Sequence, residues 1–122
     1  MTLSHIVAIE TKVRDPRAVE SACRRLGLAP PQHGTATLFS GQATGLLVRL
    51  PEWQYPVVIN TDSGEMKFDN YGGAWGAQEH LDAFLQMYAV EKARIEARAK
   101  GHLVSETQLQ DGSIRLQITE GS

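Results

Sequence analysis

The last third of the chain carries the clearest pattern of apolar and polar positions, and it predicts a long helix followed by a hairpin. Between Gln78 and Lys100 apolar residues recur every three to four positions, and most charged residues fall outside this stripe. Gly101 suits the left-handed backbone at which helices end. The hairpin, residues 102–119, alternates around Gln110-Asp111-Gly112-Ser113, where Asp-Gly favours a tight turn. The apolar stripe of the helix consists of Leu81, Phe84, Leu85, Tyr88, Ile95 and Ala99. We expect this stripe to pack on a sheet.

The start of the chain predicts a strand and a short helix. Residues 4–13 are rich in β-branched side chains, which is typical of a strand. Asp15 can cap the following helix, Pro16 suits its first position, and Gly27 can end it. Because a helix after a strand permits a parallel crossover, we expect the first strand to join the centre of the sheet.

The centre of the chain predicts two hairpins. Four short extended runs occur there, at Ala36–Ser40, Gly45–Leu50, Pro56–Asn60 and Glu65–Asp69. The first two are expected to turn across Gly41–Thr44, and the last two across residues 61–64. The order of elements is then β-α-β-β-β-β-α-β-β. We predict an α+β fold, with a mainly antiparallel sheet and two helices packed on one face.

Composition narrows the class of protein. The chain has 122 residues, 42% hydrophobic and 21% charged, which fits a single domain over residues 1–122. A net charge of −2 lacks the basic excess usual for nucleic-acid binding, so we do not expect nucleic acid as a partner. The single cysteine excludes an internal disulfide and a cysteine-based zinc site. Without a signal-peptide pattern or a long apolar run, we expect a cytoplasmic, soluble protein that binds no membrane.

The residues capable of chemistry form no recognisable active site. Cys23 lies on the apolar stripe of the first helix, which indicates a small buried side chain rather than a nucleophile. Metal-binding histidines usually occur as closely spaced pairs in the sequence. The four histidines of this chain, His5, His33, His80 and His102, form no such pair. We therefore predict no catalytic residue, no metal and no cofactor. A pocket between the long helix and the sheet, near Asp69, Trp75 and His80, is an alternative.

Two groups of residues are candidates for binding. Large aromatic residues in predicted loops either anchor an interface or cover the open edge of a small core, and we take them as protein-binding candidates: Trp53, Tyr55, Tyr71 and Trp75. Arginines around the first helix either bind an anion or an acidic partner or form an ordinary solvated face: Arg14, Arg17, Arg24 and Arg25.

Segments from both ends and the middle of the chain carry a family resemblance. They are Ser4–Asp15 with Leu26-Gly27, Lys67–Asn70 with Trp75-Gly76 and Gln86–Ala89, and Ala99–His102 with Asp111–Ile114. Together they resemble the DUF1257 or Ycf35-like family, which the stretch Pro30–Pro56 matches least. The resemblance supplies no catalytic residue. It implies an accessory role, because bacterial members are associated with an AAA-type ATPase and a second small protein.

These observations lead to three hypotheses on function. The preferred one is a non-catalytic accessory or adaptor protein that binds another protein, with an AAA-type ATPase as the partner that the resemblance implies. The second is a small-ligand binder or enzyme that uses the pocket named above. The third is a self-assembling structural protein whose strand edges pair with other copies of the chain.

Overall fold

The computed structural model describes residues 6–120, and its elements follow the predicted order. The strands are β1 (Ile6–Glu10), β2 (Gln32–Leu38), β3 (Gly41–Val48), β4 (Val57–Asn60), β5 (Glu65–Asp69), β6 (Leu103–Gln108) and β7 (Ile114–Thr119). The helices are α1 (Pro16–Arg25) and α2 (Gln78–Ala99), and a 3₁₀ turn occupies Tyr71–Gly73. The strand pairs of the described residues are all antiparallel. The predicted α+β fold is confirmed.

The first strand lies at an edge of the sheet rather than at its centre. The strand order is β1-β5-β4-β3-β2, and β1 pairs antiparallel with β5. Thr11, directly after β1, donates its backbone N–H (2.8 Å) and its hydroxyl (2.7 Å) to the Gly64 carbonyl in the β4–β5 turn. These bonds hold β1 beside β5, so the expected central, parallel position is wrong. Ser4 and His5, which begin the predicted strand, lie outside the described residues.

Both helices pack on one face of the sheet, as predicted. Leu81 and Phe84 of α2 and Ala22 of α1 are buried there, and the two helices also contact each other. Alternate strand residues complete this core because successive side chains of a strand point to opposite faces. They are Leu46, Val48, Val57, Ile59, Met66 and Phe68.

The apolar surface of α2 is wider than the predicted stripe. Leu81, Phe84 and Tyr88 belong to the main core, but Val90 and Ala97 are buried as well, and Ala99 is exposed. The helix contacts α1, β6 and β7 in addition to its packing on the sheet. These elements cover sides of α2 that the sheet does not reach. No helix within residues 6–120 is long and apolar enough to cross a membrane.

The β2–β3 hairpin folds over the outer face of the sheet, opposite the helices. β3 pairs with β4 only at Leu46–Val48, and beyond that point the hairpin pairs with itself. A Cβ atom on Gly45 would lie 2.5 Å from the Ile59 carbonyl oxygen, so only glycine lets the two backbones approach at this bend. The tip of the hairpin consequently reaches Ile6 of β1 and Asp69 of β5.

The turn of this hairpin differs from the prediction. The strands turn at Phe39-Ser40, with Leu38 paired to Gly41, so the expected turn at Gly41–Thr44 is wrong. Its small residues instead form the inner surface of the hairpin, where Ala36 and Ala43 are buried with Val58 of β4. Glycine and alanine occur here because the hairpin packs closely, not because the chain reverses.

The β6–β7 hairpin is a separate two-stranded sheet that contacts α2. Val104 pairs with Ile118, and Gly112 has a φ of +88° in the predicted turn. The Asp111 carboxylate stabilises that turn by accepting a hydrogen bond from the backbone N–H of Ser113 (2.9 Å). The predicted hairpin is confirmed.

Candidate functional site

Four aromatic side chains from three separate turns and loops meet beside the tip of the β2–β3 hairpin. Trp75, from the β5–α2 loop, stacks on Tyr71 of the same loop with ring centroids 4.7 Å apart. Phe39, in the β2–β3 turn, lies 5.0 Å from Trp75. Tyr55, from the β3–β4 loop, approaches Trp75 edge-on at 5.8 Å. These four residues are hereafter the aromatic patch.

The aromatic patch presents apolar ring surface to solvent. Phe39 is 61% exposed and Tyr71 is 49% exposed, whereas Trp75 and Tyr55 are half-buried. The two inner rings therefore support the two outer rings. Aromatic residues held in this way make effective interface anchors, because they bring a large contact area and lose little conformational freedom on binding.

The backbone beneath the aromatic patch is unusual. Tyr71 has a φ of +47°, and Gly72 and Gly73 after it also have positive φ values. The Asn70 carbonyl closes this turn by accepting hydrogen bonds from the N–H groups of Gly73 (3.0 Å) and Trp75 (2.9 Å). A bulky residue in the left-handed region costs about 1–2 kcal/mol. Such strain is concentrated at functional sites, where the surrounding structure maintains it.

Trp53, the fourth aromatic residue singled out from the sequence, belongs to the core. Its ring meets Phe68 edge-on at 5.7 Å, and its indole N–H donates to the Ala77 carbonyl at 3.0 Å. A Cβ atom on Gly76 would collide with the indole ring, so that glycine makes room for it. Of the two roles considered for the loop aromatics, Trp53 therefore covers the core, whereas Tyr55, Tyr71 and Trp75 come together near the surface.

Sequence reasoning missed Phe39. It lay inside a predicted strand, Ala36–Ser40, so its position in a turn was not foreseen. The available signal was a large apolar residue followed by Ser40 and Gly41, between two runs rich in alanine, threonine and glycine. Such a residue cannot pack inside a hairpin of small side chains, and the turn leaves it on the outside.

A buried carboxylate holds the Phe39-Ser40 turn in place. Asp69 is fully buried, and its Oδ2 accepts a hydrogen bond from the Ser40 backbone N–H at 3.2 Å. Its Oδ1 has no hydrogen-bond partner among residues 6–120. A buried acceptor without a partner usually costs about 1–3 kcal/mol, and ordered water is the common remedy. Asp69 thus ties the hairpin tip to β5, next to the loop that carries Tyr71 and Trp75.

The four arginines considered for anion binding have different partners in the fold. Arg17 lies 3.6 Å from the Asp15 carboxylate, and Arg24 pairs with Glu20 at 3.1 Å. The backbone N–H of Arg14 donates to the Tyr88 hydroxyl at 3.1 Å. Because neighbouring carboxylates offset the charge of most of these side chains, the geometry gives little support to anion binding at α1.

Arg25 has a structural role between α1 and the β6–β7 hairpin. Its guanidinium donates two hydrogen bonds to the Glu106 carboxylate, at 2.5 and 3.0 Å, and one to Glu91 at 3.1 Å. Arg94 also donates to Glu106, at 3.0 Å. The hydrogen bonds from Arg25 hold the pKa of Glu106 below its ordinary value, and those to Glu106 and Glu91 raise the pKa of Arg25.

The remaining candidates for chemistry are dispersed. Burial raises the pKa of the Cys23 thiol to about 11, which disfavours the reactive thiolate. His80 lines a cleft of about 60 Å³ with Leu26 and Leu50, and no residue of the aromatic patch lines that cleft. Over the described range 6–120, no group of three or more histidine, cysteine, aspartate or glutamate side chains is arranged to hold a metal ion.

Comparison with protein-family models, with curated protein sequences and with solved structures gives no match. The resemblance to the DUF1257 or Ycf35-like family therefore stays a prediction, and the geometry of the chain carries the functional argument.

Proposed function

We propose that this chain is a non-catalytic accessory protein that binds another protein through the aromatic patch. The observation that carries the proposal is the exposure of Phe39 and Tyr71 on a support of Trp75 and Tyr55. The strained backbone of Tyr71 adds to it, because an ordinary surface turn would use glycine or asparagine at that position.

The family resemblance suggests which partner to test first. If the resemblance holds, the partner is an AAA-type ATPase. The aromatic patch suits a partner with a shallow apolar surface, because Phe39 and Tyr71 project from a turn and a loop rather than lining a cavity.

The alternative of an enzyme or small-ligand binder receives less support. Buried side chains, including Phe84, Met66 and Phe68, fill the centre of the region between α2 and the sheet. A largely apolar cleft of about 470 Å³ does lie between α2 and β1, but the residues named for the predicted pocket, Asp69, Trp75 and His80, do not line it. Asp69 lies under the β2–β3 turn and His80 lines a different, small cleft, so these two residues do not converge on one ligand.

Affinity capture from the native host, followed by mass spectrometry, tests the proposal. The patch variant combines Phe39→Ser with Tyr71→Asn, since asparagine tolerates a positive φ. The control is Leu103→Ser, because Leu103 is 69% exposed on β6 and lies outside the aromatic patch. Loss of one aromatic anchor typically costs about 2 kcal/mol of binding energy, or roughly 30-fold in Kd, and the double variant should lose more.

We expect the wild type and the control to retain a stoichiometric partner that the patch variant loses. The same ranking should appear by calorimetry with the purified partner, starting with an AAA-type ATPase. Equal binding by the patch variant would rule out this surface. Recovery of no stoichiometric partner by the wild type would count against the accessory function itself.

A further inference from the structure

The cleft between α2 and the end of β1 is a second surface with the size of a ligand site. Ile9 and Val13 line it from the β1 side, and Leu85 and Ala89 line it from the helix. Its volume of about 470 Å³ falls within the range of roughly 300–1,000 Å³ that small-molecule sites occupy. No residue of the aromatic patch lines it, so the two surfaces can be examined separately.

The polar groups that line this cleft are engaged within the fold. The Thr11 hydroxyl donates to the Gly64 carbonyl at 2.7 Å. The Tyr88 hydroxyl is bonded to three backbone groups of the β1–α1 loop, so it is not available to a ligand. The side chain of Glu10 belongs to the opposite face of the sheet, because successive side chains of a strand alternate and the neighbouring Ile9 lies on the helix face. The cleft therefore offers mainly aliphatic surface.

Lys12 adds a positive charge to this aliphatic surface. It lines the cleft, it is exposed, and its ammonium forms no salt bridge within residues 6–120. The Asp15 carboxylate at the start of α1 does not offset this charge, because Lys92 binds it at 3.0 Å and Arg17 lies 3.6 Å from it. A few polar groups in an apolar site set the orientation of its ligand, and here that group is a cation.

We propose that the cleft binds a free fatty acid, with the alkyl chain between Ile9 and Leu85 and the carboxylate beside Lys12. Burial of the chain supplies most of the affinity, and the charge-assisted bond to the ammonium fixes the direction of the chain. A neutral apolar ligand would leave Lys12 without a partner, and a small anion would leave the aliphatic surface in water. A linear carboxylate uses both features.

Isothermal calorimetry with decanoate, below the concentration at which it forms micelles, tests the proposal. We expect saturable binding at one site, with a Kd at least about tenfold tighter than that of hexanoate, because each buried methylene contributes up to about fourfold. Decanol should bind about threefold more weakly than decanoate, since it lacks the ion pair. Acetate, which supplies the head group alone, should show no measurable binding.

Two variants separate the chain from the head group. Ala89 is exposed on α2, so Ala89→Glu should fold, and a carboxylate in the apolar cleft should raise the Kd of decanoate at least about tenfold. Ala99→Glu makes the same change at an exposed position that does not line the cleft, and should have no effect. Lys12→Met should raise the Kd of decanoate about threefold but leave that of decanol unchanged. Lys100→Met, also an exposed lysine, is its control.

Circular dichroism melts establish that each variant is folded before its Kd is interpreted. Absence of saturable decanoate binding overturns the proposal, including the case in which a peptide, a second copy or another part of the chain occupies the cleft. Wild-type affinity in Ala89→Glu also overturns it, as does a Lys12→Met variant that weakens decanol as much as decanoate.

Nuclear magnetic resonance locates the ligand and keeps this test apart from the proposed function. Decanoate should shift the backbone amide signals of Ile9 and Ala89. The patch variant, Phe39→Ser with Tyr71→Asn, should bind decanoate with the wild-type Kd, because neither residue lines the cleft. Loss of decanoate binding in the patch variant would place the ligand on the aromatic patch and overturn the cleft as its site.

Discussion

Tyr71 stacks on Trp75 with their ring planes 22° apart, although the backbone of Tyr71 lies in the left-handed region with a φ of +47°. The stacking and the Asn70-centred turn hold this conformation against its intrinsic cost. The outer ring of the aromatic patch is thus fixed in position before any partner arrives. Pre-organisation of this kind lowers the entropy lost on binding.

Replacement of Tyr71 should separate binding from stability. Tyr71→Asn removes a stacked aromatic pair worth about 0.5–1.5 kcal/mol but relieves strain of about 1–2 kcal/mol. We therefore expect the free energy of unfolding to change by less than about 1 kcal/mol, while partner binding weakens at least about tenfold. Urea denaturation and calorimetry measure the two quantities. A large loss of stability with unchanged binding would contradict this interpretation.

Removal of the Tyr88 hydroxyl should lower the free energy of unfolding by more than the loss of one ordinary hydrogen bond. The Tyr88 hydroxyl accepts hydrogen bonds from the backbone N–H groups of Arg14 and Asp15, both at 3.1 Å, and donates to the Lys12 carbonyl at 3.3 Å. Tyr88→Phe leaves these groups without their partner at the start of α1, and we expect a loss of about 2–4 kcal/mol. Urea denaturation measures it.

The matched control for Tyr88→Phe is Tyr55→Phe. The Tyr55 ring packs against Trp75 and its hydroxyl forms no hydrogen bond with a residue in the described range. Its removal should change the free energy of unfolding by less than about 0.5 kcal/mol. Equal losses in the two variants would show that the hydroxyl of Tyr88 is not the anchor of the β1–α1 loop.

The bend of the β2–β3 hairpin should require glycine at position 45 but not at position 34, which lies opposite it. Gly34 and Gly45 lie directly opposite each other. An alanine at Gly45 would press its Cβ against the Ile59 carbonyl, whereas at Gly34 the nearest atom is Leu47 Cδ1 at 3.8 Å. We expect Gly45→Ala to cost about 1–3 kcal/mol and Gly34→Ala to change stability by less than about 0.5 kcal/mol.

Thermal melts and tryptophan fluorescence test the two glycine variants. Because the bend carries Phe39 to the aromatic patch, Gly45→Ala should also alter the fluorescence of Trp75, and Gly34→Ala should not. A tolerated Gly45→Ala variant with wild-type fluorescence would contradict the role given to this bend.

Acid should weaken the junction between α1 and the β6–β7 hairpin. The pKa of Glu106 is lower in the folded protein than its ordinary value of 4.5, chiefly because of the hydrogen bonds from Arg25. A carboxyl group of this kind stabilises the fold above its unfolded pKa and loses that contribution as the pH falls through its folded pKa. We expect stability to decline below about pH 4.5, and Glu106→Gln to make that decline shallower.

At neutral pH the Glu106→Gln variant should be less stable by about 1 kcal/mol, a modest value because the Arg25 side chain is 35% exposed. The control is Glu20→Gln, which breaks only the exposed pair with Arg24 and should cost a few tenths of a kcal/mol. Urea denaturation at a series of pH values from about 3 to about 7, which brackets the ordinary pKa of a carboxyl group, measures the free energy of unfolding of both variants. Identical pH profiles for wild type and Glu106→Gln would refute the linkage.

The amino-acid sequence by itself determined the elements that depend on neighbouring residues. Asp15 caps α1 through a hydrogen bond from the Arg17 N–H, and Gly27 and Gly112 take the positive φ values that their turns need. The spacing of Leu81, Phe84 and Tyr88 was enough to predict α2 and its contact with the sheet. These signals lie within a few residues of one another, so periodicity and turn chemistry reveal them.

Only the tertiary structure decided which distant segments meet. The position of β1 depends on bonds from Thr11 to Gly64, and the aromatic patch depends on a bend at Gly45 that brings Phe39 to Trp75. The local pattern of apolar and polar residues does not predict such contacts, because the free energy that selects them comes from packing between residues far apart in the chain. Tyr55, Tyr71 and Trp75 were therefore visible as candidates, but their common site and the inward position of Trp53 were not.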